Sequence, residues 1–225
     1  MASCGVASLV AGGLAEGTER VDGVRLAEEF EQLGGSLVTY ATWDATRAGT
    51  TVMTDCVERA MQLLADVVRR PTFPDREIDR LRAERLAELI ELRSEPRGLA
   101  DERFAEFIFS PGSRFSRPEA GSESTVATLT RDQCLRWHAS HFVPGATTVI
   151  IVGDIDVDTA VRIVDASLAG WEGSTPTEVP VSDSAARTGR AVRVINRPAA
   201  PQSELRIGHV GIPRGHADYF DVVVM

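Results

Sequence analysis

The longest helical pattern in the chain constrains its fold most, because it predicts a single helix of about six turns. The pattern lies between Pro74 and Pro96. Proline is favoured in the first turn of a helix but breaks its interior, so these two prolines mark the start and the end. One apolar stripe along the stretch must be covered by other elements: Ile78, Leu81, Leu86, Leu89 and Ile90. We therefore expect a long helix packed on one side of a core.

Several shorter stretches also show helical patterns. The clearest is CVERAMQLLADVVRR, for which we expect Asp55 as the N-cap. Its predicted core residues are Val57, Met61, Leu64 and Val68. The other stretches are VASLVAGGLAEGT, PRGLADERFAEFIFS, LTRDQCLRWHASHF, DVDTAVRIVDASLAGW and HADYFDVVVM. Thr130 is the expected cap of LTRDQCLRWHASHF, and Asp154 or Asp156 is the expected cap of the helix that closes at Gly170.

Strand patterns are fewer. SLVTYATW and AGTTVMT flank Asp44 and Ala45, which predicts an antiparallel pair. We expect TTVIIVGD to form a short buried strand, and AVRVINR and SELRIGHVG to form two more. Strands and helices do not alternate regularly along the chain. This order predicts an α+β fold, in which an antiparallel sheet is flanked by helices.

Composition excludes several classes of function. The formal net charge is −9 at pH 7, so there is no electrostatic case for binding nucleic acid. No apolar run approaches the roughly 20 residues of a membrane-spanning helix, and we expect no membrane partner. Cys4, Cys56 and Cys134 form no CxxC motif and are odd in number, which disfavours a disulfide framework. Unpaired cysteines favour a reducing compartment, so we expect a cytoplasmic location.

A set of segments, taken in order, resembles the M16 peptidases, the family of pitrilysin, insulinase and the mitochondrial processing peptidase. These segments are GVASLVAGGLAEGT, LAEEFEQLGGSLVTYATWDAT, ADVVRRPTFPDREIDRLRAERLAEL and FVPGATTVIIVGDIDVD. The resemblance implies half of a duplicated α+β fold, with an antiparallel sheet backed by helices. NRPAAPQSELRIGHVG resembles the opening of the second repeat.

The resemblance also implies a domain organisation. Residues 1–171 would form the first α+β domain without its leading strands, and residues 190–225 would begin the second repeat. The linker between them would be residues 172–189, which are rich in Ser, Thr, Pro and Gly and lack periodicity. On this interpretation the chain is truncated at both ends relative to the family.

Active members of the family carry His-x-x-Glu-His on the first helix and a further Glu on the long helix. The two His, at i and i+4, share one helix face and bind Zn²⁺ together with the further Glu. The Glu between them takes a proton from the metal-bound water. Aligned on Gly17 and Thr18, the motif falls on Ser8-Leu9-Val10-Ala11-Gly12, and the further Glu falls on Glu88.

These motif-matching positions, Ser8, Ala11, Gly12 and Glu88, lack the chemistry of the motif. Ser8 is a poor zinc ligand, and Ala11 and Gly12 offer no donor atom. Because Glu88 alone cannot hold a catalytic zinc, we interpret it as an ordinary residue of an exposed helix face. We predict that the chain has no metal site, no cofactor and no catalytic residue, and that zinc belongs to a catalytic partner.

Two other candidate sites remain. His138 and His141 are close in sequence, and we interpret them as the end of a helix without a metal role. The second candidate matches the edge strand that pairs with an extended peptide in active relatives: Leu37, Val38, Thr39 and Tyr40. A plain sheet strand is the alternative for these residues.

The resemblance implies a role in peptide handling without catalysis. We predict a non-catalytic subunit or domain of a bacterial M16-type zinc peptidase, which forms a chamber around a peptide substrate. Its partner would be a catalytic M16 subunit that carries the zinc motif, in a heterodimer or homodimer. A stand-alone peptide-binding or scaffold protein is the alternative. An active zinc metalloendopeptidase would need His and Glu residues that the motif-matching positions lack.

Overall fold

The computed structural model describes residues 4–174, 189–198, 200 and 202–225. Their helices are α1 (Val6–Gly13), α2 (Gly23–Gln32), α3 (Val57–Arg69), α4 (Asp75–Ser94), α5 (Pro96–Ile108), α6 (Glu123–Val126), α7 (Arg131–His141), α8 (Val157–Leu168) and α9 (Tyr219–Val224). Their strands are β1 (Val38–Ala41) and β2 (Thr46–Gly49). The fold is α+β with helices predominating, which confirms the predicted class. None of the described helices is long and apolar enough to cross a lipid bilayer.

The chain divides into two compact units. The larger lies within Met1–Ile90 and Glu119–Val179, and the smaller within Glu91–Pro118 and Pro180–Met225. The larger unit contains α1, α2, α3, both strands, most of α4, and α6 to α8. All the candidate site residues named from the sequence belong to this larger unit.

The predicted domain boundaries concern residues that the structure describes only in part. Most of the linker predicted over residues 172–189 lies outside the described residues, because 175–188 are not among them. The division into residues 1–171 and 190–225 therefore stays a prediction.

Helix α1 lies within the core of the larger unit. More than half of its residues are buried: Val6, Leu9, Val10, Ala11 and Gly13. The same apolar cluster contains residues of α2, α3, α4 and α7. Gly5 before the helix has a φ of +95°, and Gly17 after it has a φ of +128°, conformations that glycine adopts readily. The helix predicted in VASLVAGGLAEGT is confirmed over Val6–Gly13, and a 3-10 turn over Leu14–Glu16 leads from it to Gly17.

Strands β1 and β2 form the predicted antiparallel pair. The register pairs Thr39 with Ala48. Beyond the strand ends, the N–H of Thr42 donates to the carbonyl of Ala45 at 2.7 Å. Because hydrogen-bonded and non-hydrogen-bonded pairs alternate along an antiparallel ladder, Thr39 occupies a non-hydrogen-bonded position. Its N–H and C=O groups therefore point away from β2.

The other strand predictions are wrong for the described residues. TTVIIVGD, AVRVINR and SELRIGHVG are not paired in a sheet, and Ile150 is 80% exposed, Val192 88% and Ile207 87%. A strand needs a hydrogen-bonded neighbour, and in the described part of the chain the sheet contains β1 and β2 alone. Since β2 covers Thr46–Gly49, most of AGTTVMT also lies outside a strand.

Most helix ends follow the predicted caps. Thr130 caps α7 through a capping box. Asp156 caps α8, its carboxylate accepting from the N–H of Thr159 at 2.8 Å. Helix α4 covers Asp75–Ser94, as the flanking prolines predicted. Its Ile90 is 60% exposed, so this residue does not belong to the buried stripe that the sequence predicted.

The start and the buried face of α3 differ from the prediction. A 3-10 turn over Thr54–Cys56 leads directly into the helix, so Cys56 rather than Asp55 occupies the cap position. Met61 is buried as predicted, but the other predicted core residues are only half-buried: Val57, Leu64 and Val68. Helix α3 packs against α2, α8 and β2, so its buried face is wider than one stripe.

Phe73 joins α3 to α4 in a strained conformation. Its φ of +46° lies in the left-handed region that bulky residues rarely adopt, and the following Pro74 restricts it further. The side chain is completely buried and lies close to Gly13. Arg131 of α7 holds the segment: its Nε donates to the carbonyl of Phe73 at 2.7 Å, and its Nη2 donates to that of Thr72 at 3.0 Å.

Adding a methyl group at Gly13 tests this close approach. A Cβ there would lie 2.6 Å from Cδ1 of Phe73 and 3.2 Å from Cδ1 of Ile78. We expect Gly13→Ala to lower the free energy of unfolding by about 1–3 kcal/mol through overpacking. Gly12→Ala is the matched control, because a Cβ at Gly12 meets Leu81 at 3.4 Å, an ordinary contact. Urea denaturation followed by circular dichroism measures both, and equal stabilities would contradict the close approach.

Candidate functional site

A cavity in the larger unit brings the motif-matching positions together. It has a volume of about 320 Å³ and is lined by residues of α1, β1 and α4. Ser8, Ala11, Gly12 and Glu88 all belong to its lining. The alignment on Gly17 and Thr18 therefore selected positions on α1 and α4 that line the same cavity.

Helical spacing explains the two main walls of the cavity. On α1, Ser8 and Gly12 lie one turn apart and line the cavity, while Val10 between them is completely buried in the core. On α4, residues of successive turns form the opposite wall: Leu81, Glu84, Arg85 and Glu88. The wall on α1 thus carries mostly small side chains, and the wall on α4 carries mostly charged ones.

The guanidinium of Arg85 connects these two walls. Its Nη1 donates to Oε2 of Glu88 at 2.5 Å, and its Nη2 donates to Oγ of Ser8 at 3.0 Å. A permanently charged side chain therefore contacts two of the motif-matching positions at once. Sequence reasoning missed Arg85, and the available signal was its place one helical turn before Glu88.

A second arginine engages the neighbouring carboxylate of the α4 wall. Glu84 accepts from Nη1 of Arg80 at 2.7 Å, and Arg80 also donates to Glu77 and to Glu16, each at 2.6 Å. These carboxylates raise the pKa of Arg80, with Glu77 the largest cause, and the hydrogen bond from Arg80 lowers the pKa of Glu77. Because the network is exposed to water, it orders these side chains more than it stabilises the fold.

Glu119 is a further carboxyl group within range of the charge on Arg85. Burial raises the pKa of Glu119, the positive charge of Arg85 opposes this rise, and Asp44 adds to it. Oε1 of Glu119 is buried and has no hydrogen-bond partner within the described ranges. A buried oxygen without a partner costs stability. No sequence pattern marks Glu119, because it lies in a loop and meets Arg85 only through the fold.

The side chains of the cavity do not fit a catalytic zinc ion. Such a site takes protein ligands from His, Cys, Asp or Glu side chains, usually three of them. At the motif-matching positions only Glu88 offers such a group, and Arg85 already binds it. Among the residues that the structure describes, no group of three such side chains could hold a metal ion. The donor set therefore lacks the chemistry that zinc requires.

Strand β1 forms the rim of the cavity. Thr39 and Tyr40 line the cavity, Val38 is 53% exposed, and Leu37 precedes the strand and packs against the core. In the described part of the chain, β1 pairs with β2 alone, so its second edge is unpaired. The candidate peptide-binding strand thus lies beside the motif-matching positions, and its binding role stays a prediction.

His138 and His141 have different partners at the end of α7. Nε2 of His138 donates to the carbonyl of Val68 at 2.9 Å. Burial lowers the pKa of His138, and this hydrogen bond opposes the shift. The ring of His141 stacks on Trp137 with a centroid distance of 4.2 Å. Both rings therefore pack at the end of α7, and the absence of a metal role stays a prediction.

The fold and the cavity define a peptidase-like domain whose motif-matching positions carry other side chains. Two family models match the chain: insulinase (peptidase family M16) over residues 2–116, and peptidase M16 inactive domain over residues 128–225. The first match covers more than half of the 225 residues. The chain therefore belongs to the M16 peptidase family, as the resemblance predicted.

Individual relatives agree with this family. An uncharacterized zinc protease of Rickettsia bellii is 25% identical over 147 residues, which are 65% of this chain and 35% of that protein. A probable mitochondrial-processing peptidase subunit beta of Arabidopsis thaliana is 24% identical over 186 residues, or 80% of this chain and 34% of that protein. The crystal structure of a peptidase M16 inactive domain from Pseudomonas fluorescens is 25% identical with a TM-score of 0.74, covering 80% of this chain and 44% of that one. The chain spans about a third of the length of the two curated relatives.

The pKa of Glu119 leads to a pH-dependent prediction. A carboxyl group whose pKa is raised by folding favours the folded state when protonated, and this contribution is lost as the pH rises through the raised pKa. Glu119→Gln stays neutral at every pH. We therefore expect it to raise the melting temperature by about 1–3 °C at about pH 7.5, but not at about pH 4.

Differential scanning calorimetry at both pH values makes this measurement. Glu31→Gln, at an exposed position of α2, is the matched control, because it removes the same charge without the burial. If Glu119→Gln shifted the melting temperature no more than Glu31→Gln, or by the same amount at both pH values, burial of the Glu119 carboxylate would not destabilise the fold.

Proposed function

We propose that this chain belongs to a non-catalytic subunit of an M16-type zinc peptidase, which binds peptide without cleaving it. The observation that carries the proposal is the composition of the cavity. Ser8, Ala11 and Gly12 line it, and Arg85 binds Glu88 where a family metal site would need free ligands. The chain belongs to the peptidase family, but Ser8, Ala11 and Gly12 stand at the motif-matching positions. Together these two facts support a role that uses the family fold without zinc-dependent hydrolysis.

The cavity residues favour binding without turnover. Peptide hydrolysis needs an activated water and a group that accepts its proton. Ala11 stands at the position that matches the base and has no acid–base chemistry. The carboxylates of the α4 wall are engaged, Glu84 by Arg80 and Glu88 by Arg85.

The rim of the cavity supports the binding half of the proposal. Thr39 directs its main-chain N–H and C=O groups towards the unpaired edge of β1, beside the cavity. An extended peptide can add to such an edge through main-chain hydrogen bonds, which do not depend on the side chains of the strand. Thr39 and Tyr40 would then contact the alternate side chains of the peptide.

A partner with an intact His-x-x-Glu-His motif would supply zinc and catalysis. We infer a heterodimer of the two subunits, closing around a peptide, in the cytoplasm of a bacterium. The names of two relatives support the peptidase and subunit parts of this inference: the Rickettsia protein is called a zinc protease, and the Arabidopsis protein a subunit. The alternative is a stand-alone peptide-binding protein, which would use the same cavity and the same edge of β1.

Reconstitution tests the subunit proposal. The protein that contains this chain is mixed with a motif-bearing M16 subunit from the same genome, and cleavage of fluorogenic peptides is followed. We expect the mixture to cleave at least about tenfold faster than the motif-bearing subunit alone. The protein alone is expected to show no cleavage and no stoichiometric zinc by atomic absorption.

The outcomes separate the candidate functions. No gain in rate, with peptide still bound by the protein alone, would favour the stand-alone binder. Cleavage by the protein alone, together with bound zinc, would overturn the non-catalytic function altogether.

A proline in β1 tests the peptide-binding edge. Thr39→Pro removes an N–H that points away from β2, so the β1–β2 ladder keeps its own hydrogen bonds. We expect this variant to bind the cleaved peptide about three- to tenfold more weakly, since one main-chain hydrogen bond contributes about 0.5–1.5 kcal/mol. Thr39→Val keeps the main chain and should bind like the unmodified protein. Fluorescence anisotropy with the labelled peptide measures the affinity, and equal binding by both variants would contradict pairing at this edge.

A further inference from the structure

The two helices that carry the motif-matching positions are joined by one positive charge. Nη1 of Arg85 lies 2.5 Å from Oε2 of Glu88, and Nη2 lies 3.0 Å from Oγ of Ser8. Ser8 belongs to α1 and Glu88 to α4. The guanidinium therefore contacts two positions that, with their family residues, would share a metal ion.

We propose that Arg85 is a resident cation that takes the place of the metal, so that zinc is excluded from this cavity for two independent reasons. The first is the absence of the two imidazoles. The second is the guanidinium itself, which would oppose zinc binding even if both imidazoles were restored. The inference rests on the alignment used for the proposed function, but it does not depend on a catalytic partner.

The chemistry of arginine suits this role. A guanidinium stays charged throughout the physiological pH range and donates several hydrogen bonds in one plane, so it can hold Glu88 and Ser8 together. A divalent cation on Glu88 would have to displace this pair and then remain within a few ångströms of the displaced positive charge. The side chain of Arg85 is only 31% exposed, so water screens that repulsion less than it would at an open surface.

Neighbouring carboxylates keep the guanidinium in the cavity. Burial raises the pKa of Glu119, and the charge of Arg85 opposes that rise, which places Glu119 within electrostatic range of the guanidinium. Glu84, on the same wall, is already bound by Arg80. Arg85 therefore has its attractive partners at this site, and its removal would leave Glu88 and Glu119 without their nearby positive charge.

Space does not by itself exclude imidazole ligands from the cavity. A Cβ added at Gly12 would lie 3.4 Å from Cδ2 of Leu81, which is ordinary van der Waals contact. Ser8 is half-buried and lines the same cavity. Histidines introduced at Ser8 and Gly12 therefore test the effect of the charge of Arg85 more than the effect of packing. Ala11 is 1% exposed and matches no ligand, so it stays unchanged in the test.

The zinc affinities of a series of variants test the inference. The base is the double variant Ser8→His/Gly12→His, which together with Glu88 supplies the ligand set of the family. We expect the addition of Arg85→Gln to tighten zinc binding by at least about thirtyfold, because it removes the competing charge. Arg85→Lys, added instead, keeps the charge and should leave the affinity within about threefold of the double variant. Competition with a chromophoric chelator measures the affinity of each folded variant.

Each outcome decides the inference. Equal zinc affinity with and without Arg85→Gln would overturn it, and so would a tightening by Arg85→Lys as large as that by Arg85→Gln. Absence of zinc binding in every folded variant would also overturn it, because removing the guanidinium would then have no effect. The reconstitution experiment uses the protein without these substitutions, so failure here is distinct from failure of the proposed function.

A double-mutant cycle keeps the inference testable if the histidine variants do not fold. Arg85→Gln, Glu88→Gln and their combination are made in the otherwise unmodified protein. We expect each single variant to melt about 1–3 °C lower, and the combination to melt no lower than the single variants. Additive losses would show that Arg85 and Glu88 do not act as a pair, and would overturn the inference.

Discussion

The contact between Gly13 and Phe73 determines how closely α1 approaches the joint between α3 and α4. The ring of Phe73 packs so close to Gly13 that it leaves no room for a Cβ atom at this position of α1. This approach allows Val10 and Leu14 to be completely buried, and it seats α1 firmly in the core. The separation between α1 and α4 follows from this seating. The cavity, and the bridge that Arg85 makes across it, exist because the two helices are held at that separation.

The two walls of the cavity differ in chemistry, and this difference makes room for Arg85. Small side chains on α1 leave room opposite a charged wall on α4, and Arg85 uses that room. The side chain of Arg85 is 31% exposed and that of Glu88 is 62% exposed, so the pair spans the boundary between the cavity and water. Arg85 and Glu88 belong to the same helix, so the positive charge that neutralises Glu88 comes from α4 itself.

Features that depend on neighbouring residues could be predicted from the sequence, whereas features that depend on tertiary contacts could not. The limits of α4 and the caps at Thr130 and Asp156 follow from local chemistry, and so does the β1–β2 pair. The exposure of Ile150 could not be predicted, because an apolar run predicts a strand only where a neighbouring strand pairs with it. The resemblance to the family assigned Ser8, Ala11, Gly12 and Glu88 to one site, and all four line the same cavity. The bridge from Arg85 to Ser8 joins residues far apart in sequence, so no local pattern indicates it.

The strained joint at Phe73 has a consequence for the order of events during synthesis. A bulky residue in the left-handed region costs on the order of 1–3 kcal/mol, and Arg131 on α7 supplies the hydrogen bonds that hold the joint. The ribosome releases α3, Phe73 and α4 well before it releases α7. The nascent chain therefore lacks the two hydrogen bonds that hold this joint until α7 has emerged.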